Sequence, residues 1–192
     1  SGQGLGAMGR IVLPGEPLID GATALRPWRD SDLGPLVAAC RDPEIPRWTG
    51  VPRGYGESDG RAYLISRHDA VHANASAPFA VVEAPDGRLL GSVALMRFAW
   101  EHARAEAGYW LALEARGQGH ATRALALICA WGFRTLSLER IDLLAATANL
   151  ASQRVAARAG FTREAVLRSY MKTGDGERAD MVRFGLLRGE AP

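Results

Sequence analysis

Lysine is nearly absent from this sequence: of its 23 basic residues only Lys172 is a lysine, and the other 22 are arginines. With 21 acidic residues the formal net charge is only +2, so the chain lacks the basic excess of proteins that bind nucleic acid or anionic lipid. Arginine suits forked contacts to phosphate or carboxylate, although a compositional bias of the genome explains the excess equally well. The charge balance therefore predicts no direct nucleic-acid partner and no membrane partner.

Cysteine and histidine are also scarce. Cys40 and Cys129 cannot form a disulfide framework, and the four histidines lack the spacing of zinc ligands. We therefore expect no metal site. The longest apolar run, residues 124–133, is about half as long as a membrane-spanning helix.

The N-terminal residues 1–7 have neither the charged region nor the apolar run of a signal peptide, and they look like an expression scar. The length that remains suits one domain. We therefore expect a single domain over residues 8–192, in a cytoplasmic protein.

The spacing of apolar and turn-forming residues predicts a mixed α/β fold. Strands are predicted at 22–26, 79–83, 88–96, 105–113, 141–147, 162–170 and 180–187, helices at 33–40, 58–73, 121–136 and 149–159, and an irregular loop over 42–57. Three consecutive central strands exclude a purely parallel doubly wound sheet, so we expect a mixed sheet with helices on both faces. In the helix at 58–73, Ala62, Ile65 and Ala70 are expected to face inward.

The segment between the third central strand and the longest helix has the composition of an anion site. It reads Arg116, Gly117, Gln118, Gly119, His120, Ala121 and Thr122. Its two glycines let the backbone approach an anion, and the free N–H groups and dipole of the following helix attract negative charge. A diphosphate would fit, while close packing alone would also explain the glycines. A P-loop is excluded because this segment contains no lysine. A Rossmann fingerprint, Gly-x-Gly-x-x-Gly, is excluded because Thr122 stands where its third glycine would be.

These residues carry a resemblance to a known family. Arg116-x-x-Gly119-x-Ala121 is similar to the acyl-CoA pyrophosphate motif of the GNAT N-acetyltransferases, and the resemblance extends over residues 20–188. Further segments resemble the RimJ/RimL branch in the same order: Leu25-Arg-Pro-Trp28, Asp42-Pro-Glu44, Gly108-Tyr-Trp-Leu, Asn149-Leu-Ala-Ser152 and Arg158-Ala-Gly-Phe161. The resemblance implies a GNAT-like, mostly antiparallel sheet that is splayed in the middle.

The resemblance also implies an activity. Such enzymes transfer an acetyl or other acyl group from acetyl-CoA, without a metal, directly to a primary amine of a protein N-terminus or a small molecule. A second hypothesis keeps the fold without the reaction, as a non-catalytic acyl-CoA-binding or interaction module. The branch allows a homodimer, although no residue of the sequence indicates one.

Coenzyme A contacts follow from the family pattern. In the family, the strand before the pyrophosphate loop carries a bulge and parts from the next strand, and the pantetheine arm lies in the gap. By position this strand is residues 109–113, so the N–H of Leu111 would face the thioester oxygen and Leu113 would lie beside the cofactor. The backbone of residues 116–122 would bind the diphosphate. Asn149 would contact the pantetheine arm, or would be an ordinary helix N-cap.

Four residues are candidates for proton transfer. Ser152 matches a serine near the coenzyme sulfur, where its hydroxyl could protonate the thiolate, or it is an ordinary serine of the first helical turn. Tyr170 is the alternative acid, or it packs against the sheet. Glu106 resembles the strand glutamate that is the general base in the histone-acetyltransferase branch, while an exposed strand residue is the alternative. The glutamate of RimL-type enzymes is missing, because residues 169–172 contain no carboxylate. Asp180 is a further candidate base, or the partner of an arginine.

The acceptor side is expected at the loop 42–57 and the helix after it. Four of its side chains could line a groove for the amine: Arg47, Trp48, Arg53 and Tyr55. Each could equally be a packing or surface residue, and the identity of the amine stays open.

Overall fold

The computed structural model describes residues 9–174 and 176–190, so the prediction for residues 1–7 lies outside the described residues. Within these ranges the chain forms eight β-strands and five α-helices. The strands are β1 (Leu18–Asp20), β2 (Thr23–Arg26), β3 (Ser76–Glu83), β4 (Leu89–Ala99), β5 (Arg104–Leu111), β6 (Arg140–Ala146), β7 (Thr162–Lys172) and β8 (Arg178–Leu187). The helices are α1 (Leu33–Cys40), α2 (Glu44–Trp48), α3 (Glu57–His72), α4 (His120–Thr135) and α5 (Leu150–Arg158).

The strands form one sheet in the order β1-β2-β3-β4-β5-β6-β8-β7. Only β5 and β6 run parallel, because α4 connects them as a crossover, and the other neighbours are antiparallel. The predicted mixed, mostly antiparallel sheet is therefore confirmed. One sheet joins elements from Leu18 to Leu187, which supports the proposal of a single domain over 8–192.

Helix α4 covers one face of the sheet and supplies much of the larger core. Leu125 and Ile128 are fully buried against Val93 and Leu95 of β4. Gly132 allows close packing, since a Cβ there would lie 2.7 Å from Leu95 Cδ1. Helix α5 packs on the same face. No helix within the described ranges is both long and apolar enough to cross a membrane.

Helices α1 and α3 cover the opposite face over β2–β4. Their core includes Leu36 and Leu64. The inward face predicted for α3 is wrong, because Gly60 and Leu64 are buried while Ile65 is 62% exposed. Gly60 determines this rotation: a Cβ at this position would lie 2.8 Å from Leu33 Cδ1 of α1, so the two helices touch there. With both layers in place, helices on both faces are confirmed.

The segment predicted as an irregular loop contains α2. Pro43 starts this helix with a fixed φ, and the Glu44 carboxylate accepts hydrogen bonds from Arg47 Nη1 at 3.2 Å and from Trp48 Nε1 at 3.1 Å. The density of Pro and Gly hid this short helix. Strand β1, which pairs with β2, was also missed, because three residues are too few to show an alternating pattern.

The sheet splays between β5 and β6. These strands pair only from Arg104 and Arg140 to Ala107 and Leu143; beyond that point β5 stays with β4 and β6 stays with β8. The gap expected from the family is therefore present. The bulge expected on the strand before the loop is not on β5. It lies on β4 between Met96 and Ala99, where Arg97 has a φ of +52° and the extra residue is accommodated.

Candidate active site

The backbone of β5 presents free amides to the gap. The N–H of Ala112 donates to the carbonyl of Leu90 at 2.8 Å, on the β4 side. Because amides alternate between the two sides of a strand, those of Tyr109 and Leu111 point away from β4 and into the gap. The Leu111 N–H therefore lies on the gap side of β5, and its role as a hydrogen-bond donor to substrate stays a prediction.

Arg116 joins the end of β5 to the loop that follows. Its Nε and Nη2 donate to the carbonyl of Leu111 at 3.2 and 2.8 Å, and Nη2 pairs with the Asp42 carboxylate at 2.5 Å. The guanidinium is therefore occupied by the protein itself. The arginine of the motif and the aspartate of Asp42-Pro-Glu44 form one ion pair, which ties the loop to the segment between α1 and α2.

The loop ends in a row of unpaired backbone donors. Gly117 and Gly119 have φ values of +74° and +80°, a region that favours glycine. Among the described residues, no carbonyl accepts from any N–H group from Gly117 to Thr122. A Cβ on Gly117 would meet no atom within 4 Å, so the space in front of the loop is open. Free donors, open space and the N-terminus of α4 together fit a diphosphate.

Two side chains at the start of α4 anchor the loop to Thr23 of β2. His120 is buried and its Nδ1 lies 2.9 Å from Thr23 Oγ1, while Arg123 Nε donates to the same oxygen at 2.8 Å. Burial, and then the nearby charge of Arg123, lower the pKa of His120, which favours the neutral ring. The Thr23 hydroxyl thus contacts both side chains and links the start of α4 to β2.

The remaining residues of the motif and its flanks either support the loop or lie beside it. Gln118 Nε2 donates to the carbonyl of Glu114 at 2.7 Å, and Arg123 Nη2 donates to the carbonyl of Gln118 at 2.7 Å. Ala121 is buried in the core. Leu113 lies in the short turn before the loop, and its side chain is 65% exposed and free for contact with a ligand. Sequence reasoning missed Thr23 and Arg123, which lie outside the motif.

Helix α5 brings Asn149 and Ser152 to the gap. The Asn149 side chain accepts from the N–H of Ser152 at 3.1 Å, so the N-cap role is present. The Tyr109 hydroxyl of β5 donates to Ser152 Oγ at 3.3 Å, and burial raises the pKa of Tyr109. Tyr109 was not a candidate, although it is the tyrosine of the Gly108-Tyr-Trp-Leu segment.

Glu106 and Tyr170 lie together on the other face of the sheet. Both line a cavity of about 370 Å³, whose other lining residues are Arg97, Arg104, Ala105, Asp142, Met171 and Arg183. The Glu106 side chain is 20% exposed and its Oε1 accepts from Arg97 Nη1 at 2.7 Å. No described residue donates to Oε2. Tyr170 therefore faces the cavity of Glu106 and not the Ser152 side of the sheet.

An irregular stretch of β7 positions Tyr170. Leu167 pairs with Met181 and Met171 with Ala179, so β7 carries two extra residues between these pairs, and Ser169 has a φ of +49°. The N–H of Ser169 donates to Asp180 Oδ1 at 2.7 Å. Asp180 thus holds the bulge through a backbone amide, and the expected pairing with an arginine is wrong.

The expected acceptor groove is only partly exposed. Arg53 Nε donates to the carbonyl of Gly174 in the β7–β8 turn at 3.3 Å, and the N–H of Gly174 donates to the carbonyl of Arg47 at 3.2 Å. The guanidinium of Arg47 lies 4.5 Å above the ring of Trp48. These side chains remain at the surface, whereas Tyr55 is 4% exposed and belongs to the core with α3. Tyr55 is therefore not a groove residue.

The comparisons with known proteins agree with this geometry. The family model described as an acetyltransferase (GNAT) domain matches residues 23–162. The uncharacterized N-acetyltransferase YoaA of Bacillus subtilis is 31% identical over 149 residues, which cover 77% of this chain and 83% of that protein.

Two solved structures share the fold. RimJ of Mycobacterium smegmatis, in complex with CoA-disulfide, has a TM-score of 0.78 at 24% identity and covers 90% of this chain and 85% of its own. Spermidine N-acetyltransferase of Vibrio cholerae, in complex with CoA and spermine, has a TM-score of 0.75 at 24% identity and covers 88% and 98%. This chain therefore belongs to the GNAT acetyltransferase family, and the activity expected from its sequence, acyl-CoA-dependent N-acetyl transfer, is that of its family and relatives.

Proposed function

We propose that this protein transfers the acetyl group of acetyl-CoA directly to a primary amine at the gap between β5 and β6. The observation that carries the proposal is two groups of free amides: those of Tyr109 and Leu111 on β5, and those of residues 117–122 at the N-terminus of α4. Leu111 lies beside the gap, and residues 117–122 lie where a diphosphate would follow. The residues present therefore fit coenzyme A along its whole reactive arm.

When bound, acetyl-CoA supplies an activated acyl carbon: the new nitrogen–carbon bond replaces its sulfur–carbon bond, one proton leaves the amine and one reaches the sulfur. The Leu111 N–H is placed to donate to the carbonyl oxygen of the thioester. Because negative charge develops on this oxygen during attack, a fixed backbone donor stabilises the transition state more than the ground state. Asn149 and Leu113 would contact the pantetheine arm at either side of the gap.

Glu106 is the proposed general base. Its Oε1 is held by Arg97, and its Oε2 is left without a donor from the described residues. This second oxygen faces the cavity through which the amine would approach. It can accept the amine proton directly or through one water molecule.

Ser152 is the proposed general acid, on the opposite face. The Tyr109 hydroxyl donates to Ser152 Oγ, so the proton of Ser152 is left free for a sulfur in the gap. Tyr170 remains the alternative acid, but its position beside Glu106 favours a role in binding the amine. Base and acid then act from opposite faces of the sheet, with the thioester between them.

The acceptor is a protein N-terminus or a small amine. Three solved neighbours share this fold: RimJ, a RimL named as a ribosomal L7/L12 α-N-protein acetyltransferase, and a spermidine N-acetyltransferase. A cytoplasmic location and a homodimer stay predictions of the sequence and of the family resemblance.

Calorimetric titration with acetyl-CoA tests the proposal. In Gly119→Val the new side chain would stand among the free amides, with its Cβ 2.8 Å from Arg123 Nη1, and binding should be lost. Gly54→Val is the matched control, because Gly54 also has a positive φ (+68°) and a Cβ there would meet no atom within 4 Å. Equal binding by both variants would contradict the diphosphate site.

Release of free thiol from acetyl-CoA, followed over a panel of amines and N-terminal peptides, tests the reaction itself. We expect amine-dependent release. Tight binding of acetyl-CoA without release across the whole panel would favour the non-catalytic module.

A further inference from the structure

The cavity beside Glu106 carries more positive than negative charge. Three arginines line it, Arg97, Arg104 and Arg183, against two carboxylates, Glu106 and Asp142. Each carboxylate already has its own partner. Glu106 accepts from Arg97, and Asp142 accepts from Arg140 Nε at 2.7 Å and from Arg104 Nη1 at 3.4 Å.

Arg183 is the cavity arginine for which no carboxylate partner is found among the described residues. Its Nε is shielded from solvent and makes no hydrogen bond to any described residue. No carboxylate of the described chain lies within 4.0 Å of its guanidinium. Glu164 is nearby, and its pKa is lowered mainly by its hydrogen bonds with Arg140 and to a smaller extent by the charge of Arg183. Arg140 holds both oxygens of Glu164, so this carboxylate is already engaged.

The register of the sheet places Arg183 at the level of the reaction. Arg183 pairs with Leu144 of β6, one residue beyond Leu143, the last position at which β6 pairs with β5. Asp142, two residues before Leu144 and on the same face, pairs with Glu106. The guanidinium thus enters the cavity where the sheet begins to part, on the face from which the amine would approach the base.

An unpaired, partly desolvated guanidinium needs an acceptor, and the strongest available one is a carboxylate. We infer that the acceptor of this enzyme carries a carboxylate on the same molecule as its primary amine, and that Arg183 binds this carboxylate. The inference rests on the proposed function, since it places the amine at Glu106. A polyamine would bring positive charge toward three arginines and should be a poor acceptor.

Matched acceptor pairs test the inference. The small-molecule pair is 4-aminobutanoate and 4-aminobutanamide; the peptide pair is Ser-Asp-Ala-Ala and Ser-Asn-Ala-Ala, both amidated at the C-terminus. For at least one pair the wild-type kcat/KM should be roughly 10- to 100-fold higher for the carboxylate, through KM, as for a charge-assisted hydrogen bond. The pair that shows this preference identifies the source as a small molecule or a protein N-terminus.

Substitutions then assign the preference to Arg183. Arg183→Gln should reduce it to less than about twofold, and Arg183→Lys should retain part of it, since the charge remains without the fork. Arg163→Gln is the control, because Arg163 is exposed on the same sheet and lines a different cavity beside α5. Acetyl-CoA affinity should be equal in all four proteins. A wild type without preference in either pair, or a preference that persists in Arg183→Gln, would overturn the inference.

Binding of the N-acetylated products in the presence of CoA, measured by calorimetry, separates this inference from the proposed function. Turnover without carboxylate preference overturns the inference and leaves the transferase function intact. Arg183-dependent binding of the acetylated carboxylates without any turnover contradicts the transferase function and leaves the carboxylate site at Arg183 intact.

Discussion

Tyr109 of β5 and Ser152 of α5 are joined across the gap in the sheet by a hydrogen bond of 3.3 Å between their hydroxyl oxygens. Tyr109 lies two residues beyond the last pair between β5 and β6, so its side chain spans the opening. In this contact the Ser152 oxygen accepts from Tyr109 with one of its two lone pairs, which leaves the Ser152 proton for another acceptor.

The Tyr109–Ser152 contact predicts a coupled effect on turnover. Ser152→Ala should lower kcat by roughly 10²-fold, as for the loss of a general acid. Tyr109→Phe should lower kcat by roughly 2- to 10-fold, the effect of one neutral hydrogen bond. In the Ser152→Ala background Tyr109→Phe should have almost no effect, because both changes act on one proton. Additive losses in this double-mutant cycle of thiol release would show that the two hydroxyls act independently.

The position of Glu106 predicts a large loss on removal of its charge. Glu106→Gln keeps the size of the side chain but cannot accept a proton, so kcat should fall by roughly 10²- to 10⁴-fold. Glu101→Gln, at an exposed glutamate of the β4–β5 turn, should leave kcat unchanged. A kcat equal to that of the wild type in Glu106→Gln would point to another base.

Burial of His120 predicts a dependence of stability on pH. The pKa of His120 is lowered in the folded protein from the ordinary value of 6.5, by burial and by Arg123, so the unfolded chain binds the proton more readily. The contribution of His120 to the free energy of unfolding should therefore be fully present above pH 6.5. It should be lost as the pH falls toward the folded-state pKa.

Urea unfolding at about pH 7.5 and pH 5.5 measures this loss of stability. His120→Gln should lose less free energy of unfolding between the two pH values than the wild type. His68→Gln, at an exposed histidine of α3, should behave like the wild type. An equal loss of unfolding free energy between the two pH values in all three proteins would exclude His120 as the titrating group.

The close approach of Gly91 to β5 predicts that a side chain at this position displaces the β5 backbone. It pairs with Leu111, and a Cβ on Gly91 would lie 2.2 Å from the carbonyl oxygen of Trp110 and 2.9 Å from Leu111 Cα. Because these are backbone atoms, Gly91→Ala must displace β5, with a loss of roughly 1–3 kcal/mol in the free energy of unfolding and a lower kcat. Gly34→Ala in α1, where a Cβ would meet nothing within 4 Å, should leave kcat unchanged. Equal kcat values for both variants would show that the position of Leu111 is not critical.

Local patterns in the sequence were enough to predict most of the elements and the anion loop. The apolar run of α4 and the two glycines of the loop act through neighbours in the chain, so their structure could be read from spacing. The same holds for the N-cap of Asn149. Two helices were not predicted correctly. Helix α2 is short and lies among prolines and glycines that indicate a loop. The buried face of α3 depends on the contact of Gly60 with α1, which lies elsewhere in the chain.

The sequence by itself determined the family, the mixed sheet and the loop whose backbone fits a diphosphate, because these depend on residues close together in the chain. Only the tertiary structure decided which distant side chains meet. Glu106 and Tyr170 share a cavity, Tyr109 reaches Ser152, and Arg183 lines that cavity with an Nε that has no partner among the described residues. These contacts follow from strand register and from two bulges, at which one or two extra residues redirect a side chain, and no local pattern in the sequence marks those positions.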